Sequence, residues 1–183
     1  MKKLDDIWDE YINDKVKVES LKDLAWHIEN DPDPLDAITM AADMRLKELG
    51  PSIARQLDNE DDYIREVAIS SLLGRLCLAD YAKKGLDTAI NDPYESVRDI
   101  ALFNLGEVIN QVDDKELRYR IAAYIYQVLI DTENLEFYKG AAYNSMLASL
   151  GINILDRPRV EDLDNNIDLD FTLIEQFKNK YNL

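Results

Sequence analysis

His27 is the only histidine and Cys77 the only cysteine of the 183-residue chain, and they stand 50 residues apart. Zinc sites of the common His/Cys kind need several such ligands. Ser/His/Asp and Cys/His nucleophile systems have a single candidate base here, His27. It falls beside Ile28 on a predicted helix, where a partly buried ring is the ordinary outcome. Cys77 sits in the apolar run LCLADYA, which reads as a buried reduced thiol with no intrachain disulfide. Neither GxGxxG nor GxxxxGK[ST] occurs, so no phosphate-cradling loop is written in the chain. One oxygen-rich cadence stands out, from Asp164 to Glu175. Asp164, Asn166, Asp168 and Asp170 take positions 1, 3, 5 and 7, with Thr172 at 9 and Glu175 at 12, the spacing of an EF-hand calcium loop. Leu169 stands where the sharp turn calls for Gly, and Pro158 lies in the incoming segment, so the match reads as the product of an acidic tail. No catalytic set, metal or cofactor is expected.

Charge narrows the partners. The net charge is −16, and residues 1–62 hold 17 acids against 8 bases. Residues 63–151 are nearly balanced at 13 against 9, and residues 152–183 hold 7 against 4. So acidic a chain repels phosphate backbones, which disfavours nucleic acid, and steers a basic protein in. Met1-Lys2-Lys3 resembles the start of a signal peptide, but Leu4-Asp5-Asp6 puts charge where the apolar segment should begin. No apolar stretch approaches membrane-spanning length. A cytoplasmic protein without a membrane partner is expected.

These residues must be positioned by helices. Leu4, Ile7, Trp8, Tyr11 and Ile12 follow the spacing of an amphipathic helix. Ser20-Leu-Lys-Asp23 has the form of a capping box opening a helix to residue 29, and Asp31-Pro-Asp-Pro34 separates it from one over 34–49. Gly50-Pro51 marks the next corner. Helices then pair as 51–58 with 63–76, 79–90 with 96–109, and 114–131 with 136–150. Residues 152–169 read as a strap, after which Asp170 caps a helix whose Ile174, Phe177 and Tyr181 dock on the preceding pair.

Two of these pairs repeat one pattern. IARQLDNEDDYIREVAISSLLG (53–74) and LDTAINDPYESVRDIALFNLG (86–106) share an apolar helix end, an acidic turn, a β-branched residue before Arg, and a helix ending at Gly. Ile64-Arg65 and Val97-Arg98 stand 33 residues apart, within the period of helical solenoids. The pattern resembles HEAT repeats, of the short HEAT or armadillo type. The resemblance implies an all-α, right-handed α-solenoid of about four HEAT-like pairs with a C-terminal capping helix. Residues 1–151 would form the array with an N-terminal capping helix, and 152–183 an acidic strap and helix in the same domain. It also implies a structural ladder in which Arg65 and Arg98 reach back six residues to Asn59 and Asp92, with Glu133 and Lys139 as an altered third rung. HEAT-like hydroxylases with paired His-Glu motifs are excluded by the histidine count.

In such arrays the second helix usually lines the concave surface. On the wheel of 96–109, Val97, Ala101, Leu105 and Val108 cluster on one side and Phe103 falls almost opposite, with Asp99 and Glu107 a turn away. Asp99, Phe103 and Glu107, with Glu66 one repeat earlier, are the expected partner-binding residues; the other reading of Phe103 is a ring covered by the C-terminal helix. Around them Ser70 and Gly74, and Gly140, Asn144 and Ala148, are small enough to leave depressions. The functional expectation is a non-enzymatic protein-binding module with an acidic surface for a basic protein, similar to an immunity protein neutralising a toxin, or to a regulatory adaptor. The alternative is a HEAT-like enzyme of bilin-lyase or base-modification type, acting on a chromophore or nucleobase.

Overall fold

A computed structural model describes residues 1–13, 15–131, 136–158 and 169–183. Among the described residues the fold is all-helical, with ten α-helices and no strand. The chain forms two compact units, Met1–Leu78 and Ala79–Leu183.

The first unit contains α1 (Leu4–Ile12), α2 (Val18–Asn30), α3 (Leu35–Asp43), α4 (Gly50–Arg55) and α5 (Asp62–Ile69), the last running on into a π-turn at Ser70–Arg75. α2 packs on α3 and α4, and α3 on α5. Ile7, Leu24, Ile28, Ile38, Ile53, Ile69 and Leu72 fill its core. Of the apolar stripe expected on α1, only Ile7 is buried, because a nine-residue helix touching α2 and α3 has room to cover only a narrow strip. Polar cross-links do much of the joining. Gln56 Nε2 donates to the Ile28 carbonyl at 2.6 Å, and Ser52 Oγ to Glu29 at 2.7 Å.

The second unit contains α6 (Ala82–Asn91), α7 (Glu95–Val108), α8 (Lys115–Ile130), α9 (Glu136–Ser149) and α10 (Phe171–Tyr181). α7 packs on both α6 and α9, while α8 and α10 close the other sides of α9. From Gly140 to Ser149 every residue of α9 is buried. Small side chains permit this close approach. A Cβ placed on Gly106 of α7 would lie 2.1 Å from the carbonyl oxygen of Ser145 and 2.6 Å from its Cα. Ile174, Phe177 and Tyr181 of α10 are buried, and the Asp170 side chain caps that helix by accepting from the amides of Thr172 and Leu173.

Several helix ends differ from expectation. Val18, not Leu21, opens α2, so Ser20 is no cap; it lies fully buried inside the first turn and bonds to Glu10 and Lys2. The helix expected over 34–49 stops at Asp43, where Arg45 turns left-handed at φ 57°. The amide of Leu46 then bonds to the Ala41 carbonyl, the wide ring of a Schellman closure. Cys77 does the same work for the π-turn at φ 50°. Gly50, Gly74 and Gly106 do not stop helices: Gly50 opens α4, Gly74 lies in the π-turn and Gly106 is inside α7. Of the glycines read as helix stops, the Gly106 position serves close packing instead.

Candidate partner-binding surface

The face expected around Phe103 is built differently. α7 has neighbours on both sides, so its wheel has no single core side, and Asp99 is 5% exposed rather than set on an open surface. Phe103 is half-buried. Glu107 is held by Arg157, whose Nη1 donates to its carboxylate at 2.5 Å and whose Nε donates to the Ile152 carbonyl at 2.9 Å. Arg157 is only 6% exposed at its side chain, so this pair neutralises Glu107 locally. An aromatic flanked by two steering acids is therefore not what α7 presents. Gly140, Asn144 and Ala148 are buried and leave no depression on α9, whereas Glu66, Ser70 and Gly74 are half-buried in the first unit.

Arg65 and Arg98 reach the turns six residues before them. Arg65 Nη1 donates to the carbonyls of Asn59 and Glu60 at 2.8 and 3.1 Å. Arg98 Nη1 donates to the Asp92 carbonyl at 2.7 Å, while its Nε and Nη2 donate to Tyr138 Oη on α9 at 3.0 and 2.6 Å. Glu133 lies outside the described residues. A third arginine of this kind, missed by the 33-residue period, is Arg118, whose Nε donates to the Val112 carbonyl at 2.9 Å. Each of the three is the fourth residue of its helix and clamps the entering chain. Leu117-Arg118 after Asp113-Asp114 carried a related signal, an apolar residue before Arg after an acidic turn, without the β-branching of Val97.

The N-terminal helices expose two large rings. Trp8 on α1 is 38% exposed and its ring lies 5.5 Å from that of Tyr11; Trp26 on α2 is 43% exposed. α1 carries Asp5, Asp6 and Asp9 near its aromatics, while Glu10 is paired with Lys2. Large amphipathic rings give contact area at low entropy cost.

His27 anchors this region. Nδ1 lies 2.7 Å from Asp31 Oδ2 and Nε2 2.8 Å from the Lys2 carbonyl oxygen. Both neighbours are acceptors, so both ring nitrogens carry hydrogens and the geometry selects the imidazolium. Burial alone would lower the imidazole pKa; the bonds to Lys2 and Asp31 and the charges of Asp31 and Asp23 outweigh it and raise the value. With both nitrogens occupied, the ring has none to offer a substrate. Lys2 is held further by its amide on Asp23 at 2.9 Å and its ammonium on Glu10 and Ser20. These bonds, led by that from Lys2 and then Ser20, lower the pKa of Glu10.

The calcium-like loop falls largely outside the described residues, which include neither Asp164, Asn166 nor Asp168. Asp170 caps α10 and Glu175 bonds to Lys178 at 2.9 Å. Among the described residues, no helix is long and apolar enough to cross a membrane. In the comparisons with known proteins, no family model, curated protein or solved structure matches this chain.

Proposed function

We propose that the chain is a non-enzymatic protein-binding module, with HEAT-like helical pairs as its building blocks and an acidic surface on α1 and α2 that takes a basic protein. The exposure of Trp8, on the helix that carries Asp5, Asp6 and Asp9, and of Trp26 on α2 carries the reading. The helix pairing supports the HEAT-like part. α6 packs with α7 and α8 with α9, and the second helices α7 and α9 lie against each other. An immunity protein against a basic toxin, or a cytoplasmic adaptor, fits this chemistry.

The test is affinity capture on immobilised full-length protein at low and high salt, repeated with Trp8→Ala/Trp26→Ala and with Asp5→Asn/Asp6→Asn/Asp9→Asn. A basic protein should bind at low salt. The tryptophan pair should weaken it by about 2 kcal/mol or more, the size expected of hot-spot residues. The asparagine triple should chiefly slow association. A partner held equally well by all variants would overturn the surface.

A further inference from the structure

The second unit places a basic cavity in an acidic chain. Arg98, Arg118, Arg157, Lys178 and Lys180 each donate to a protein group within the unit. Lys83, Lys84, Lys115, Arg120 and Lys139 donate to none among the described residues, and three of these five, Lys83, Lys84 and Arg120, line one cavity of about 530 Å³. Leu86, Asp87, Ile90 and Asn91 complete it. Among the described residues of the lining Asp87 is the single acid, and its Oδ1 is already taken by Asn91 Nδ2 at 2.9 Å. These described residues carry an excess of two positive charges. The wall it shares with α8 is fixed, since Tyr124, one turn beyond Arg120, donates its hydroxyl to the Ala89 carbonyl at 2.9 Å.

We propose that this cavity binds a small organic dianion, a phosphate monoester or a dicarboxylate, with its charged head among Lys83, Lys84 and Arg120 and its apolar body along Leu86 and Ile90. Two negative charges match the local excess, and an arginine fork with two ammonium groups is the donor set such heads take. Ile90 is 44% exposed, an apolar contact left open beside the cations. The volume lies in the range of small-ligand sites, roughly 300–1,000 Å³. Size also follows from electrostatics. A nucleic acid would run on into the field of a chain with net charge −16. A compact dianion stays within about one Debye length, roughly 8 Å at physiological salt, of the three cations. The site is independent of the protein-binding surface on α1 and α2.

The experiment is a titration of isotope-labelled full-length protein by two-dimensional amide NMR. The probes are phenyl phosphate, phenylsuccinate, inorganic phosphate and phenol. Saturable shifts confined to residues 83–91 and the neighbourhood of Arg120 are expected with phenyl phosphate or phenylsuccinate. Inorganic phosphate should bind more weakly and phenol not measurably. The stronger of the first two identifies the head group. Lys84→Gln/Arg120→Gln should weaken binding by about tenfold or more, the loss of two charge-assisted contacts, with the thermal midpoint unchanged. Four results would overturn the proposal: no saturable shift, shifts spread equally to Lys3, Lys15, Lys17 and Lys22, equal binding by the variant, or a variant that melts much earlier.

Discussion

The two units solve the same problem by different means. The first joins short helices with polar and titratable cross-links, among them Lys2–Glu10–Ser20, His27 between Asp31 and the Lys2 carbonyl, and Gln56 on Ile28. It also ends two segments on the non-glycine left-handed residues Arg45 and Cys77. The second buries all of α9 from Gly140 to Ser149 and brings α7 to it at Gly106, where backbone meets backbone. Cross-links can be loosened one at a time by pH or substitution, whereas a packed crossing fails as a whole. The surface with exposed tryptophans belongs to the cross-linked unit, and the fixed cavity walls belong to the packed one.

The largest expected effect breaks that packing. In an ordinary helix interior Gly→Ala gains about 1 kcal/mol from helix propensity. At Gly106 the added methyl meets the Ser145 backbone, which cannot rotate away, so α7 and α9 must part. Gly106→Ala is expected to destabilise by about 3 kcal/mol or more, the upper range for overpacking. Gly151→Ala is the control. Gly151 has φ 82° and open space around it, so only left-handed strain of about 1–2 kcal/mol should appear. Far-UV circular dichroism gives the midpoint. Both tryptophans, Trp8 and Trp26, lie in the first unit, so their fluorescence reports that unit separately. Equal costs at the two glycines would mean the close crossing does not govern the second unit.

How much of this was legible follows from what each signal encodes. Asp170 and the apolar stripe Ile174, Phe177, Tyr181 placed α10 because a cap and a helical period are local properties. The pairs over 79–109 and 114–150 were legible for the same reason. Stops at Arg45 and Cys77 were not, since a left-handed non-glycine residue is selected by tertiary fit and leaves no composition signal. The wheel misread α7 because it shows where apolar residues lie and not how many neighbours a helix has; Asp99 and Asn104 are buried among them. The basic cavity was hidden by distance, with Lys83 and Arg120 37 residues apart under a net negative charge.

A middle-sized effect tests the cross-linked unit through pH. The folded pKa of His27 lies above the unfolded one, so its contribution is fully present below the unfolded pKa, near 6.5, and is lost as pH rises through the folded value. Asp31, Asp23 and the Lys2 carbonyl face the ring, and Lys2 in turn pairs with Glu10. Glu10, whose pKa is lowered, works in the opposite sense and loses its contribution in acid. Tryptophan fluorescence melts should therefore show the first unit losing stability from about pH 6.5 upward. His27→Gln should cost about 1–2 kcal/mol at pH 6, the value of one or two hydrogen bonds, and flatten that slope. A slope unchanged in His27→Gln would place the titration elsewhere.

The smallest effect runs the other way and concerns Cys77. Its φ of 50° puts a Cβ where a left-handed turn has least room for one, a strain of roughly 1–2 kcal/mol for a non-glycine residue. The turn is fixed by its neighbours: Leu76 donates to the Ser71 carbonyl and Leu78 to that of Leu72, each at 2.9 Å. The side chain returns only a weak thiol bond to the Gly74 carbonyl at 3.3 Å and a half-buried position. Strain relief exceeds that loss, so Cys77→Gly should stabilise the first unit by up to about 1 kcal/mol, less the entropy that glycine adds to the unfolded chain. Cys77→Val should destabilise, because β-branching worsens a positive φ. Arg45→Gly is the sharper contrast: Arg45 shares the left-handed turn but also donates Nη1 to the Arg75 carbonyl, so its gain should be smaller or absent. Urea midpoints read by tryptophan fluorescence decide it. If Cys77→Gly and Cys77→Val shift the midpoint in the same direction, strain at this residue is not what distinguishes the end of the first unit from the glycine-ended α9 of the second.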